Sequence, residues 1–375
     1  MHNTRYLEQL IIDDLTEKMV FLGGPRQVGK TTLSKKILGL NGTYYNWDDL
    51  EDKKKLLNND LYKNNGLVVL DEIHKYRLWR SLVKGCFDKY FPKIKILVTG
   101  SARLDHFRKG GDSLVGRYHY YRLHPYSLPE LSHTFDKSVL QDLLQYGGFP
   151  EPLHKKDKRH LRRWQNERIS RVLTQDVRDL ETIKDISLLE LLVELLFPRV
   201  GSPLSIKSLQ EDIGVSPHTV ERWIGILENV YFCYRISPYG THRTRAIKKT
   251  QKLYLWDWSQ VESDGARFEN LVAGHLLKFC HYHEDYNGYK MQLCYIKDVE
   301  GREIDFVVIK DKKPLFAVEC KTGEKSLQRS LKYFKDIYKI PKAYQVHLGE
   351  KDFGDESKEG RVLPFHLFCK LEELI

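Results

Sequence analysis

Several things are scarce in this chain of 375 residues. Its six cysteines, Cys86, Cys233, Cys280, Cys294, Cys320 and Cys369, are scattered, with no CxxC and no Cys/His ligand spacing. That argues against a zinc site or a disulfide framework and suits a reducing cytoplasm. No apolar run approaches the roughly 20 residues a membrane span needs, so no membrane partner is expected. The opening "MHNTRYLEQLIIDDLTEK" has neither the apolar core nor the small-residue cleavage site of a secretory signal. At 41% hydrophobic and 30% charged residues the composition is globular. At roughly one domain per 150 residues the length implies two or three domains. The net charge of +10 is compatible with a polyanionic partner.

What is present begins with "MVFLGGPRQVGKTTL". An apolar run, Met19 to Leu22, reads as a buried strand feeding a glycine-rich loop and then a helix. Gly24, Gly29, Lys30 and Thr31 fit G-x-x-x-x-G-K-[ST] in the strand-to-helix context the motif requires. The expected nucleotide-binding segment is Gly24, Pro25, Arg26, Gln27, Val28, Gly29, Lys30, Thr31 and Thr32. Its backbone amides would close around phosphates, Lys30 would neutralise the β and γ oxygens, and Thr31 would offer a hydroxyl to Mg²⁺. "GLVVLDEIHK" supplies a second strand ending in Asp71, a candidate Mg²⁺ ligand, and Glu72, a candidate base for the attacking water. A third strand, "IKILVTGSAR", ends in Thr99, Ser101 and Arg103 and resembles the sensor strand of AAA-type ATPases. Ser101 read as a helix N-cap is an equally local explanation. Arg117 is a candidate charge-stabilising arginine, in cis or toward a neighbouring subunit, with a surface arginine as the alternative. Strands alternating with helices imply a parallel α/β sheet with nucleotide at the carboxyl ends of its strands.

The middle of the chain is basic and helical. Leu161, Trp164, Ile169, Val172 and Leu173 form an apolar stripe, with Arg162, Arg163, Arg168, Arg171 and Arg178 expected largely on other faces. Residues 203–236 have the pattern of a winged helix-turn-helix: "IKSLQEDI", the turn "GVS", and a helix capped by Ser216 with Pro217 at its first position. A DNA-binding version would present His218, Glu221 and Arg222 to the groove, although Glu221 would repel phosphate. Such a module also serves as a protein-packing surface, so a protein partner stays open. "YGTHRTRAIKKTQK" adds Arg243, Arg245, Lys248, Lys249 and Lys252 as candidate phosphate contacts, with a solvated linker as the other reading.

In the last third, "IDFVVIKDKKPLFAVECK" places Asp305 on one strand and Glu319 and Lys321 on the next. Residues two apart on a strand share a face, so these three and Glu269 could converge on a Mg²⁺ ion that activates water. On spacing alone a solvated charged hairpin explains them as well.

The motifs "GPRQVGKTTL", "VVLDEIHK", "VTGSAR", "LVGRYHYYRLHPYSLPEL", "GGFPEP", "KLYLWDWS", "ARFENLVA" and "REIDFVVI…AVECKTG" together resemble a bacterial and archaeal family of AAA-type P-loop ATPases with a C-terminal domain of unknown function. The resemblance implies a P-loop ATPase core over 1–130, a helical lid over 131–200, a winged helix over 201–250 and a restriction-endonuclease-like α/β domain of the PD-(D/E)XK type over 251–375. It implies that Glu269, Asp305, Glu319 and Lys321 match the nuclease motif, with Asp305 and Glu319 on the metal, and that Gly148 to Pro150 link nucleotide state to domain position. The expected function is ATP hydrolysis acting on DNA, duplex or branched, as a homo-oligomer. An ATP-regulated nuclease and a nucleotide-dependent protein-binding switch are the alternatives. "SLQRSLKYF" lacks the glutamine-tyrosine spacing of helicase-associated nucleases.

Overall fold

The computed structural model describes residues 4–40, 42–101, 114–132, 136–177, 185–240 and 251–375. Arg103, Arg178, Arg243, Arg245, Lys248 and Lys249 therefore lie outside the described residues. The chain divides into two compact units, one of residues 1–125 with 174–182 and 229–231, the other holding the remainder.

The first unit is built on five parallel strands, β1 (Met19–Gly23), β2 (Thr43–Asn46), β3 (Gly66–Asp71), β4 (Ile94–Gly100) and β5 (Tyr118–Arg122), in the order β2-β3-β4-β1-β5. The central strands are near-continuous aliphatic runs because both faces of the sheet are covered. On one face Phe21, Val68, Leu70, Ile96 and Val98 pack with Trp79, Val83 and Cys86 of the helix Trp79–Tyr90. Val20, Leu22, Val69 and Leu97, alternating with them, are equally buried. Register sets the chemistry: Asp71 pairs with Thr99 across β3 and β4, and Gly23 with Gly100 across β1 and β4. The acidic tip, the polar tip and the start of the glycine-rich loop thus sit side by side at one sheet edge.

The second unit contains an eight-stranded sheet in the order β12-β13-β11-β10-β9-β8-β6-β7. Its strands are β6 (Cys233–Pro238), β7 (Lys252–Leu255), β8 (Met291–Lys297), β9 (Glu303–Lys310), β10 (Lys313–Cys320), β11 (Lys342–His347), β12 (Phe353–Asp355) and β13 (Gly360–Pro364). β9 and β10 form the hairpin expected around "KDKK", with Asp311 and Lys312 at positive φ in its turn. Ile304, Val307, Ile309 and Ala317 pack against Leu331 and Phe334 of the helix Arg329–Tyr338. The 22-residue helix Asp264–Asp285 fastens the segment that follows Tyr126. Its Lys278 ammonium donates to Ser127 Oγ at 2.7 Å and pairs with Glu130. Its His275 accepts from the Leu128 amide at 3.0 Å. Burial pushes His275 down to about 4, so the ring is neutral at physiological pH.

In the same unit, the helix Ile206–Ile213 ends at Gly214, whose φ of +78° is a left-handed cap. Ser216 then accepts from the Thr219 amide at 3.1 Å and starts the helix Pro217–Asn229. In the basic helix Lys158–Arg171, Leu161 and Trp164 are buried, and Arg162 and Arg163 are exposed. Arg168 corrects the expectation of a solvated face: it is 1% exposed, with its guanidinium 4.4 Å from the Phe149 ring centroid. It falls seven residues after Leu161, two helical turns along the apolar stripe, and its planar cation stacks on an aromatic face.

Candidate functional sites

The glycine-rich loop leaves β1 through Gly24, whose φ is +151°. A Cβ there would collide with the carbonyl oxygen of Leu123, so only glycine fits. Gly29, at φ +100°, caps the helix Lys30–Leu38, whose first residues are Lys30, Thr31 and the exposed Thr32. Buried Arg5 donates to the Val28 carbonyl at 2.9 Å and also binds the His124 carbonyl, bracing the loop from a residue outside every motif. The Lys30 ammonium donates to the carbonyls of Gly24 and Pro25, each at 2.8 Å. Burial lowers the Lys30 pKa, opposed by Glu72 and Asp71. The ammonium is held inside the loop, where phosphate oxygens would replace the two carbonyls as acceptors.

Asp71 is the hub of this edge. Its Oδ2 accepts from Thr31 Oγ1 at 2.8 Å and from Tyr44 Oη at 2.6 Å, and its Oδ1 accepts from Thr99 Oγ1. Glu72 has a left-handed backbone, φ +57°, which turns its carboxylate back toward β4. There Oε1 accepts from the Ser101 amide at 3.0 Å and Oε2 from the Ser101 hydroxyl at 3.3 Å. Lys75 Nζ lies 3.7 Å from Oε2. The structure therefore brings together Lys30, Thr31, Asp71, Glu72, Thr99 and Ser101. A hydroxyl and a carboxylate 2.8 Å apart, beside a loop of amides, are a donor set that suits Mg²⁺ held with a triphosphate.

Two participants carried no sequence signal. Tyr44, on β2, has its phenol pKa raised by burial and by its hydrogen bond to Asp71. Asp176, at the end of a π-helical turn Val172–Asp176, accepts from Arg26 Nη1 at 2.8 Å. Its Oδ2 and Gln27 Oε1 are buried with no hydrogen-bond partner among the described residues. Burial pushes the Asp176 carboxyl up to about 6, against the pull of Arg26.

Arg117 is a correction to the cis reading. It precedes β5, its carbonyl accepts from the amide of Met19, and its guanidinium pairs with Asp88 at 2.6 Å. β1 and β5 are parallel, so Arg117 sits at the amino edge of the sheet, about five residues or roughly 16 Å of strand from the phosphate loop.

The comparisons with known proteins bear on these units separately. Residues 16–132 match the family described as AAA domain. Residues 137–261 match a domain of unknown function (DUF8612) and residues 264–368 another (DUF4143). An uncharacterized protein of Haemophilus influenzae is 25% identical, covering 89% of this chain and 90% of that protein. The uncharacterized protein MJ1544 of Methanocaldococcus jannaschii is 22% identical over 92% and 84%. Among solved structures, a signal transduction ATPase with a tetratricopeptide repeat sensor from Pyrococcus horikoshii is 11% identical, covering 76% of this chain and 48% of its own, with a TM-score of 0.26. The AAA domain and the site around Asp71 support a nucleotide-hydrolysing ATPase.

The second cluster gathers the expected residues and one more. Asp305 Oδ2 accepts from the Cys320 amide at 2.8 Å, and the Asp305 amide donates to Glu319 Oε2 at 3.4 Å. Lys321 Nζ donates to Glu319 Oε1 at 2.6 Å, and Tyr254 Oη to Glu269 Oε1 at 2.7 Å. Burial, with the neighbouring Asp305 charge, raises both Glu269 and Glu319, and burial raises Asp305 itself. The extra residue is Lys252 on β7, whose side chain is 2% exposed. Its ammonium pairs with Glu303 and lies 3.5 Å from Glu269 Oε1 and 3.8 Å from Asp305 Oδ1. Among the described residues no three His, Cys, Asp or Glu side chains are arranged to hold a metal ion. Asp305 and Glu319, the expected Mg²⁺ ligands, here bind backbone amides and, for Glu319, the Lys321 ammonium.

On the helix Pro217–Asn229, His218, Glu221 and Arg222 are exposed as expected. Arg235 Nη1 pairs with Glu221 at 2.6 Å, and Arg235 also binds Glu228 at 2.9 Å, so one arginine is shared by two carboxylates. No helix among the described residues is long and apolar enough to cross a membrane.

Proposed function

We propose that this protein binds ATP with Mg²⁺ at the loop Gly24–Thr32, hydrolyses it, and acts on duplex or branched DNA as a homo-oligomer. The observation that carries the hydrolysis is the shared edge of β1, β3 and β4, where Thr31 and Thr99 both bind Asp71 and Ser101 holds Glu72. Mg²⁺ bound with nucleotide would supply positive charge at the phosphates. Lys30 and the loop amides bind the phosphates, Thr31 and Asp71 hold the ion, and Thr99 fixes the Asp71 rotamer. Glu72, oriented by Ser101, accepts the proton of the attacking water.

The DNA step is supported by the net charge of +10 and by the helix-turn-helix pattern of 206–229. Arg222 would make one such contact, with Arg243, Arg245, Lys248 and Lys249 following in sequence. The cutting alternative loses support from Lys252, and the restriction-endonuclease-like module acts in this reading as a binding fold.

The test is a panel from single strand to four-way junction, scored for binding across a salt series and for stimulation of phosphate release. Stimulated turnover with salt-sensitive binding is expected. Turnover that ignores every DNA, with no salt-sensitive binding, would overturn the DNA step and leave the nucleotide-dependent protein-binding switch.

A further inference from the structure

The carboxylates that resemble a nuclease centre already contain a cation. We propose that Lys252 is the resident counter-ion of Glu269, Glu303 and Asp305, and that this module holds no divalent metal at that position. Three observations carry it. The Lys252 ammonium sits where the three carboxylates converge, paired with Glu303 and within 3.8 Å of the other two. Its backbone is fixed at the start of β7, bridged on both sides, to Ile236 in β6 and to Pro203, and its side chain is 2% exposed. The charge is nearly balanced as well: Lys297 binds Glu303 at 2.7 Å and Lys321 binds Glu319 at 2.6 Å. Three ammonium groups thus meet four carboxylates, leaving too little negative charge for a dication.

A magnesium ion needs about six oxygens near 2.1 Å in an octahedron. The Lys252 ammonium lies among three of these carboxylates and offers donors rather than acceptors. The network then works as a strut that ties β7 to β9 and to the helix Asp264–Asp285. A buried charge is tolerated because its partners are buried with it.

The inference is independent of the nucleotide reading and is read out without ATP. Full-length, nucleotide-free protein is titrated with Mn²⁺ by calorimetry and electron paramagnetic resonance, comparing wild type, Asp305→Asn, Lys252→Met and the double variant. Wild type and Asp305→Asn are expected to give the same isotherm. Lys252→Met is expected to gain one site, half-filled at about tenfold lower Mn²⁺ than any wild-type binding; Asp305→Asn added to it should remove that site. A wild-type Mn²⁺ site that Asp305→Asn abolishes overturns the proposal, as does a folded Lys252→Met protein that gains none. Should Lys252→Met fail to fold by circular dichroism, the comparison of wild type with Asp305→Asn decides alone, identical isotherms supporting the proposal.

Discussion

Replacing Asp176 by asparagine should stabilise the first unit at neutral pH and progressively less in acid. The carboxyl is buried and raised from its ordinary value of 3.8 to about 6 in the folded chain. Between those values the folded state holds a proton that the unfolded state has lost, so stability falls as pH rises through the window. At about 1.4 kcal/mol per pKa unit, the full penalty above pH 7 is about 3 kcal/mol, and at pH 5 roughly half of that. Asparagine cannot ionise and can still accept the hydrogen bond of Arg26, which is partly exposed and keeps its hydration. The assay is thermal unfolding of wild type and Asp176→Asn from pH 5 to 7.5, following the transition that ADP raises. The variant should melt roughly 5–10 °C higher at pH 7.5, with the gap narrowing toward pH 5. A variant that melts at or below wild type at pH 7.5, or a gap that ignores pH, would show that the Arg26 pair outweighs burial and would refute the reasoning.

Glu72→Gln should keep ATP affinity, measured with a fluorescent analogue, while phosphate release drops at least about a hundredfold, since only proton acceptance is lost. Tyr44→Phe removes one hydrogen bond from Asp71 at constant ring volume, so kcat should fall about tenfold with KM nearly unchanged. Arg117→Ala should leave nucleotide affinity unchanged in direct titration, because Arg117 lies at the opposite edge of the sheet.

The nucleotide site was legible because its residues are local. Gly24 to Thr32, Asp71–Glu72 and Thr99–Ser101 each terminate an aliphatic strand, and parallel register gathers strand ends automatically. Tyr44 and Asp176 were not legible: one is a tyrosine in an ordinary alternating strand, the other reaches Arg26 across 150 residues of sequence. Arg117 misled for the same reason in reverse, since a basic residue before a strand reads the same whichever sheet edge it occupies. In the second unit the spacing of Asp305, Glu319 and Lys321 correctly brought them together. The decisive residue, Lys252, stands 51 residues ahead of Glu303 and closes a basic run that reads as a phosphate-contacting wing or linker, a reading its 2% exposure corrects. Arg168 was misplaced because a charged residue on an apolar stripe is ordinarily assigned outward, and nothing local announces the Phe149 ring beneath it.

The attachment of residues 127–130 to the helix Asp264–Asp285 bears on how such a protein can be cut and inherited. The AAA domain match runs to residue 132, yet Ser127 and Glu130 are the partners of Lys278, 1% exposed, and Leu128 is the partner of His275. A carboxyl-terminal piece beginning at 137 or 264 would lose both Ser127 and Glu130 and uncover the surface they pack on. Recombination that trades one carboxyl-terminal module for another must therefore break the gene before Tyr126, inside the segment matched as AAA. The stretch after Tyr126 would travel with the far end of the chain, and its sequence should track the partner helix more closely than it tracks the phosphate loop.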